Sequence, residues 1–393
     1  MAIPGLENLL ATGVRGERVF VRSDLNVPLA AGAIADDARI VASLPTLRRL
    51  LTAGARVVVA SHLGRPKGQR RPALSLRPVA QRLAERLGRG VSFCEDCIGE
   101  PARSAIDALG EGQLLLLENL RFHAGEEADD PDFARTLAGL ADVYVNDAFG
   151  TAHRTHASTV GMVPFVPRTA AGELLASELE HLRVMREPKR PLLVVIGGSK
   201  VSSKLGALES LALEADVLAV GGAMAYTFLA AENRPTGASL VEPELVEAAR
   251  VLMAAAEASG RRVLLPTDHV VAQRVEEGAP TRVVETIPDG WFGVDIGPTT
   301  AKTYAEEAAR AKTVFWNGPM GVFEIDAFAA GTRTVAEGVA GSAATSVVGG
   351  GDSLAAVHSL GLGDCIGHLS TGGGASLEFV QGLTLPGVAA LEH

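Results

Sequence analysis

Short runs rich in Val, Ile and Leu recur along the chain, separated by longer stretches with helical spacing. The runs predict strands at 18–21, 56–60, 113–117 and 142–145 in the first half. In the second half they predict strands at 191–196, 216–220, 262–265, 313–316 and 345–348. Several are continuously apolar, as in Leu192-Leu-Val-Val-Ile196, which suits strands covered on both faces of a parallel sheet. Stretches 37–53, 76–87 and 243–258 have the 3.6-residue period of helices packed on such a sheet. Alternating strand and helix predicts the α/β class: two open parallel-sheet, Rossmann-like domains with helices on both faces, joined by a hinge.

A chain of 393 residues exceeds what one core usually serves. A break is expected near 173–190, where Leu174, Leu175, Leu179 and Leu182 have helical spacing and Pro188-Lys-Arg-Pro191 ends the pattern. The expected organisation is an N-terminal domain at 1–172, an interdomain helix or hinge at 173–190 and a C-terminal domain at 191–374. A tail follows at 375–393.

Composition narrows the function. The net charge of -10 argues against non-specific binding to nucleic acid or anionic membranes. No apolar run reaches the roughly 20 residues that span a bilayer. The N-terminus has neither a charged nor an apolar leader segment, so a cytoplasmic location is expected. Cys94 and Cys97 form a C-x-x-C pair, but the only other thiol is Cys365, and a zinc site of four thiolates would need a second pair. The pair is expected to be two reduced thiols with no metal or redox role.

Candidate chemistry in the second half begins with glycine. Gly197-Gly198, Gly221-Gly222, Gly349-Gly350-Gly351 and Gly372-Gly373-Gly374 each lie at a strand end or helix start. Glycine there is ordinary turn chemistry, yet it also lets backbone N–H groups approach an anion. Lys200 and Lys204 are expected at the start of a helix, four apart and on one face. They are either a solvated pair or the cations a phosphate needs. Asp352 can serve as a helix-start charge or as a Mg²⁺ ligand opposite nucleotide phosphates. Asn317 and Glu324 belong to the unusual stretch Phe315-Trp-Asn-Gly-Pro-Met-Gly-Val-Phe-Glu324, where Glu324 could accept from ribose hydroxyls. The spacing matches neither a Walker A loop nor a dinucleotide fingerprint.

The first half places basic residues at comparable positions. Arg22, Arg39, Arg65, Arg121 and Arg154 fall just past strands or at a helix start. Each alone could be a loop arginine paired with a neighbouring acid. Together, in an acidic chain, they imply a ligand with at least two anionic groups, because guanidinium forks match carboxylate and phosphate. Asp24 and Asn26 would read a hydroxyl, and His62 would donate a hydrogen bond or support its neighbours. His153 and His156 are expected to orient Arg154 or to pack.

Seven segments in order resemble phosphoglycerate kinases: Arg22-Ser-Asp-Leu-Asn-Val-Pro28, Ser61-His-Leu-Gly-Arg-Pro66, Glu118-Asn-Leu-Arg-Phe122, Gly150-Thr-Ala-His-Arg154, Gly197-Gly-Ser-Lys-Val-Ser-Ser-Lys204, Trp316-Asn-Gly-Pro-Met-Gly321 and Gly349-Gly-Gly-Asp-Ser353. The resemblance covers nearly the whole chain. It implies an N-terminal domain for 3-phosphoglycerate or 1,3-bisphosphoglycerate, bound by Asp24, Asn26, Arg39, His62, Arg65, Arg121 and Arg154. A C-terminal domain would bind ATP or ADP with Mg²⁺ through Lys204, Gly221, Gly222, Gly293, Asn317, Glu324, Gly350, Gly351, Asp352 and Ser353, with Asp352 on the metal. The resemblance also implies a hinge-bending monomer whose tail returns to the N-terminal domain. Ser23, Leu25 and Ser199 depart from the residues common in the family, and none of them is a charged group.

The expected mechanism needs no general base, because a carboxylate acceptor is already ionised at neutral pH. It needs in-line positioning and charge neutralisation, assigned to Arg39, Lys200, Lys204 and the backbone around Gly373. Because the two ligand sets lie in different halves, the halves are expected to close on each other to bring them together. An NAD-dependent dehydrogenase leaves the paired lysines and the missing fingerprint unexplained. A nucleotide-binding scaffold has no use for a second anion site.

Overall fold

A computed structural model describes residues 3–30 and 32–392. Met1, Ala2 and His393, at the ends of the expected spans, and Ala31 lie outside the described residues. The chain divides into two units, one of residues 1–180 with 384–393, the other of residues 181–383.

In the first unit six parallel strands run in the order Ser92–Cys94, Leu114–Leu117, Arg56–Ala60, Arg18–Ser23, Val143–Asp147 and Thr169–Ala171. The central strands read Arg-Val-Phe-Val-Arg-Ser and Arg-Val-Val-Val-Ala, β-branched and buried on both faces. Helices Ala38–Thr52 and Arg77–Leu87 cover one face, burying Leu44, Leu47 and Leu50 from one and Val79 and Leu83 from the other. The second helix has proline in its first turn and stops at Gly88, where φ is 69°.

In the second unit the parallel order is Arg262–Leu264, Val217–Val220, Leu192–Ile196, Thr313–Asn317, Thr345–Gly349 and His368–Ser370. Helices Pro298–Arg310 and Ala330–Ala340 bury Tyr304, Ala308, Val335 and Val339 in its core. An antiparallel sheet, absent from the sequence-based expectation, has His269–Ala272 between Thr281–Val284 and Phe292–Ile296. Its strands are short, and only the central one is buried throughout while Thr281–Val284 is largely exposed, so the hydrophobic pattern across the sheet is weak.

The helix Glu173–Arg183 covers the first part of the expected hinge span, and the division between units falls inside it. Its start is held by the buried Asp147, whose carboxyl accepts from the Leu174 N–H at 2.9 Å and the Leu175 N–H at 3.4 Å. Helix Gly374–Val380 groups with the second unit, where it buries Ala375, Phe379 and Val380. Only residues 384–393 group with the first. There the Gly387 N–H donates to the Ala152 carbonyl at 2.8 Å, and Asn146 Nδ2 donates to the Gly387 carbonyl at 3.2 Å.

Candidate active site

In each sheet the winding reverses once, and ligands in open α/β sheets collect beyond the strand ends at that crevice. In the first unit the reversal lies between Arg18–Ser23 and Val143–Asp147, in the second between Leu192–Ile196 and Thr313–Asn317.

The first crevice is strongly cationic. Arg22 is fully buried, donating from Nε to Ser158 Oγ at 2.8 Å, with a second nitrogen 3.3 Å from His62 Nδ1. Burial first, then the charges of Arg22, Arg121, Arg39 and Arg154, hold the His62 imidazole well below its usual pKa. A neutral histidine among four guanidinium groups marks a region built to receive negative charge. The carboxylate facing it is Asp24, ion-paired to Arg39 and 4.0 Å from His62. Arg121 is buried, donates to the Gly64 carbonyl at 2.9 Å and lies 3.3 Å from Glu127. Burial depresses its pKa, and its Nε, the atom facing Glu127, makes no well-aligned hydrogen bond among the described residues. Asn26 Oδ1 accepts from the Gly64 N–H at 2.8 Å, which leaves its amide nitrogen for a ligand.

Two of the five arginines stand apart from the expectation. Arg22 is a strand residue whose fork is consumed inside the protein, so it supports His62 from beneath. Arg65 is exposed, unlike the buried Arg22 and Arg121. His153 is half-buried and His156 buried; burial and the nearby arginines lower the His156 pKa to about 4, so it packs as a neutral ring.

The second crevice opens into a cleft of about 290 Å³ lined by Gly198, Gly222, Tyr226, Gly293, Glu324 and Asp352, with Pro319–Val322 as one wall. Lys204 Nζ lies beside its Gly198 wall, 3.5 Å from where a side chain at Gly198 would begin. The same Nζ donates to the Gly197 carbonyl at 2.7 Å, just past the end of Leu192–Ile196, and to the Asn317 carbonyl at 3.2 Å, at the end of Thr313–Asn317. Burial lowers its pKa to about 8, opposed by Asp352. An ammonium has three donors, so one remains for an incoming oxygen.

Lys200 and Lys204 do not share a helix face. Helix Leu205–Glu214 begins after them, and Lys200 is exposed. The segment between them turns because Ser202 donates its N–H and hydroxyl to Glu242, while Val201 is buried. Nor do the glycine clusters act alike. The N–H groups of Gly221 and Gly222 go to the carbonyls of Ile196 and Met320, so these glycines permit close packing and offer no free donors. A side chain at Gly222 would press on Gly198. At Gly293 it would overlap the Tyr226 hydroxyl. Ser353 is fully buried, its hydroxyl accepting from the Gly318 N–H at 2.6 Å, which fixes the Asn317–Gly318 turn. Gly350 (φ 93°) precedes helix Gly351–Ser359 and presents Asp352 exposed on its first turn. Gly373 has φ 55° and no atom within 4 Å of a would-be side chain, leaving the approach to its backbone open.

The donor set at Asp352 suits a hard cation. One exposed carboxylate beside a glycine-lined cleft fits Mg²⁺, which takes few protein ligands and completes its shell with phosphate oxygens and water.

The model of the family described as "Phosphoglycerate kinase" matches residues 9–383. The chain belongs to the phosphoglycerate kinase family. Among relatives, the phosphoglycerate kinase of Rubrobacter xylanophilus is 55% identical over 381 residues, 96% of each chain. That of Microcystis aeruginosa is 51% identical over 394 residues, 98% of each. The structure of phosphoglycerate kinase from Coxiella burnetii aligns with a TM-score of 0.88 at 42% identity, covering 99% of both chains. That from Pyrococcus horikoshii aligns at 0.89 with 34% identity, covering 99% of this chain and 98% of the other. Membership of the family makes the chain a phosphotransferase with a carboxyl group as acceptor.

Sequence reasoning missed Tyr226, Pro319, Met320 and Val322, which form apolar walls of the cleft. The stretch Pro319–Val322 had been singled out, but only its charged and amide ends suggested chemistry. Nothing local distinguishes Tyr226 from a core tyrosine. Its place follows from the antiparallel sheet that brings Gly293 against it.

Proposed function

We propose that the chain transfers a phosphoryl group reversibly between 1,3-bisphosphoglycerate and ADP, giving 3-phosphoglycerate and ATP, with the acid in the first unit and the nucleotide in the second. The carrying observation is the pair of unlike crevices: a cationic one around His62 and a glycine-lined one over Lys204. Arg121, Arg154 and Arg65 bind the phosphate and carboxylate, and Asp24, Asn26 and His62 position the hydroxyl-bearing carbon. Of these, Arg65 approaches from the exposed rim. Glu324 accepts from the ribose, and Gly222, Gly293 and Tyr226 receive the base and sugar. Gly350, Gly351, Ser353 and Asn317 hold the turn that presents Asp352 and the Lys204 acceptors. Gly221 keeps the neighbouring loop close.

Mg²⁺ held at Asp352 would neutralise nucleotide phosphate charge. The acceptor carboxylate attacks without losing a proton. Lys204 meets the moving phosphoryl oxygens with its remaining N–H, Lys200 reaches them from the surface, and Arg39 does so from its Asp24 pair. The backbone N–H at Gly373 adds a neutral donor. These contacts strengthen as charge spreads in the transition state. Transfer requires both ligands in line and shielded from water, so turnover includes closure of the two units. The reading includes a cytoplasmic monomer acting on small molecules alone, and no helix of the described residues is long and apolar enough to cross a membrane.

Titration calorimetry on single variants tests the division of labour. Arg121→Met should abolish 3-phosphoglycerate binding and spare MgADP, and Glu324→Gln should do the reverse. Loss of both ligands from either variant would contradict the assignment.

A further inference from the structure

The C-x-x-C pair is not a unit in the folded protein. Cys94 ends the strand Ser92–Cys94, whereas Cys97 faces a different set of side chains. Cys97 Sγ, an Asp96 carboxylate oxygen and a His123 ring nitrogen all lie within 4.8 Å of one another. His123 Nε2 is 2.7 Å from Asp96 Oδ1, an oxygen that also accepts from the Cys97 N–H at 2.7 Å. Both contacts aim that oxygen into the cluster. Arg70 holds the other carboxylate oxygen at 3.2 Å, and Phe133 packs 5.4 Å from the His123 ring centre. The thiol is buried, while the Asp96 and His123 side chains are 29% and 30% exposed, so the cluster has a dry floor and a wet mouth.

We infer that Asp96, Cys97 and His123 form a binding site for a thiophilic divalent cation of the zinc class, with water as the fourth ligand. Sulfur, imidazole and carboxylate are the donors such an ion takes, at about 2.0–2.3 Å each. Bonds of that length place ligand atoms about 3–4 Å apart, so the cluster needs only side-chain rotation to close. Arg70 and the Cys97 N–H stay outside as partners that orient the carboxylate. Binding exchanges protons for metal. The Cys97 S–H proton leaves to solvent, a sulfur–metal bond forms, and the proton on His123 Nε2 moves to Nδ1 or to solvent. Burial first, then the charges of Asp96, Glu126 and Glu118, oppose a bare thiolate at Cys97, and the same negative charges favour a cation bound there. A hard ion such as Mg²⁺ lacks affinity for the sulfur, so the site is chemically separate from the nucleotide cleft and does not depend on the kinase reading.

The test uses the full chain in a Cys365→Ser background, because Cys365 is an exposed thiol that would bind metal on its own. Metal-free protein is titrated with Co²⁺ and read for a thiolate-to-cobalt charge-transfer band. Zn²⁺ affinity is then read by competition with a chromogenic chelator. One equivalent should bind with the band present. Cys97→Ser should remove the band. His123→Gln should weaken Zn²⁺ binding by more than the roughly 10–100-fold that loss of an outer-shell partner costs, while the metal-free variant still unfolds in one cooperative transition, which separates a lost ligand from a lost fold. Cys94→Ala should leave both readouts as they are. No band in the background protein, a band that survives Cys97→Ser, or binding that His123→Gln leaves intact would overturn the site. Loss of binding in Cys94→Ala would assign the metal to the dithiol instead and also overturn it.

Discussion

Lys204 donates from Nζ to the carbonyl oxygen of Gly197 at 2.7 Å, fastening a buried cation to the strand end where the second sheet reverses its winding. A second bond at 3.2 Å to the Asn317 carbonyl ties it to the neighbouring strand. The charge is therefore placed by backbone atoms of the two strands that define the crevice. That accounts for its position, and its burial there accounts for its lowered pKa.

With Lys204 at a pKa of about 8, the free protein loses this cation as pH rises through that value. Because kcat/KM reports the free enzyme, kcat/KM for the nucleotide should fall above about pH 8. A bound polyphosphate favours the charged form, so the alkaline limb of kcat should lie at higher pH. Steady-state profiles from pH 6 to 10 check this. Coincident limbs, or a flat kcat/KM, would show that Lys204 stays charged or does not act on phosphate.

Arg39 pairs with Asp24 and is one of the charges acting on His62, yet a third of its side chain is exposed, so it can move to a ligand. Arg39→Ala should lower kcat by about a hundredfold or more while MgADP affinity changes less than about threefold. Equal losses in both would reduce Arg39 to a structural role.

The cationic crevice should be relieved by its ligand. 3-Phosphoglycerate should raise the melting temperature, and Arg121→Met should remove most of that rise, since a buried guanidinium fork in the cationic crevice is lost. Differential scanning fluorimetry against ligand concentration measures it. An undiminished shift in the variant would place the anion elsewhere.

Gly293 leaves no room for a side chain against Tyr226. Gly293→Ala should weaken ADP binding about tenfold or more without altering 3-phosphoglycerate binding. Calorimetry with each ligand separates the two, and unchanged ADP affinity would remove Gly293 from the cleft wall.

Much of this was legible before folding, and the legible parts share a cause. Strands such as Leu192–Ile196 and Arg56–Ala60 are buried on both faces, so their composition alone marks them. The small antiparallel sheet was not, because its outer strands carry Gly293, Asp295 and exposed Arg282 in place of an apolar run and its buried central strand His269–Ala272 is only four residues long. At the site, residues whose charge is the function stood out, Arg39, Arg121, Lys204 and Asp352 among them. Whether a charge faces ligand or protein was not readable. Arg22 spends its fork on Ser158 and His62, and the helix expected under Lys200 begins one turn later, because Glu242, 40 residues onward, captures Ser202. Such partners are distant in sequence, and no local pattern announces them.

The central claim is a transfer between an acid held by one unit and a nucleotide held by the other. A coupled assay with purified chain, Mg²⁺, ATP and 3-phosphoglycerate tests it most directly. ADP should appear only when the acid is present, and it should fall to background with Lys204→Met. No ADP from a protein that binds both ligands by calorimetry would contradict the account.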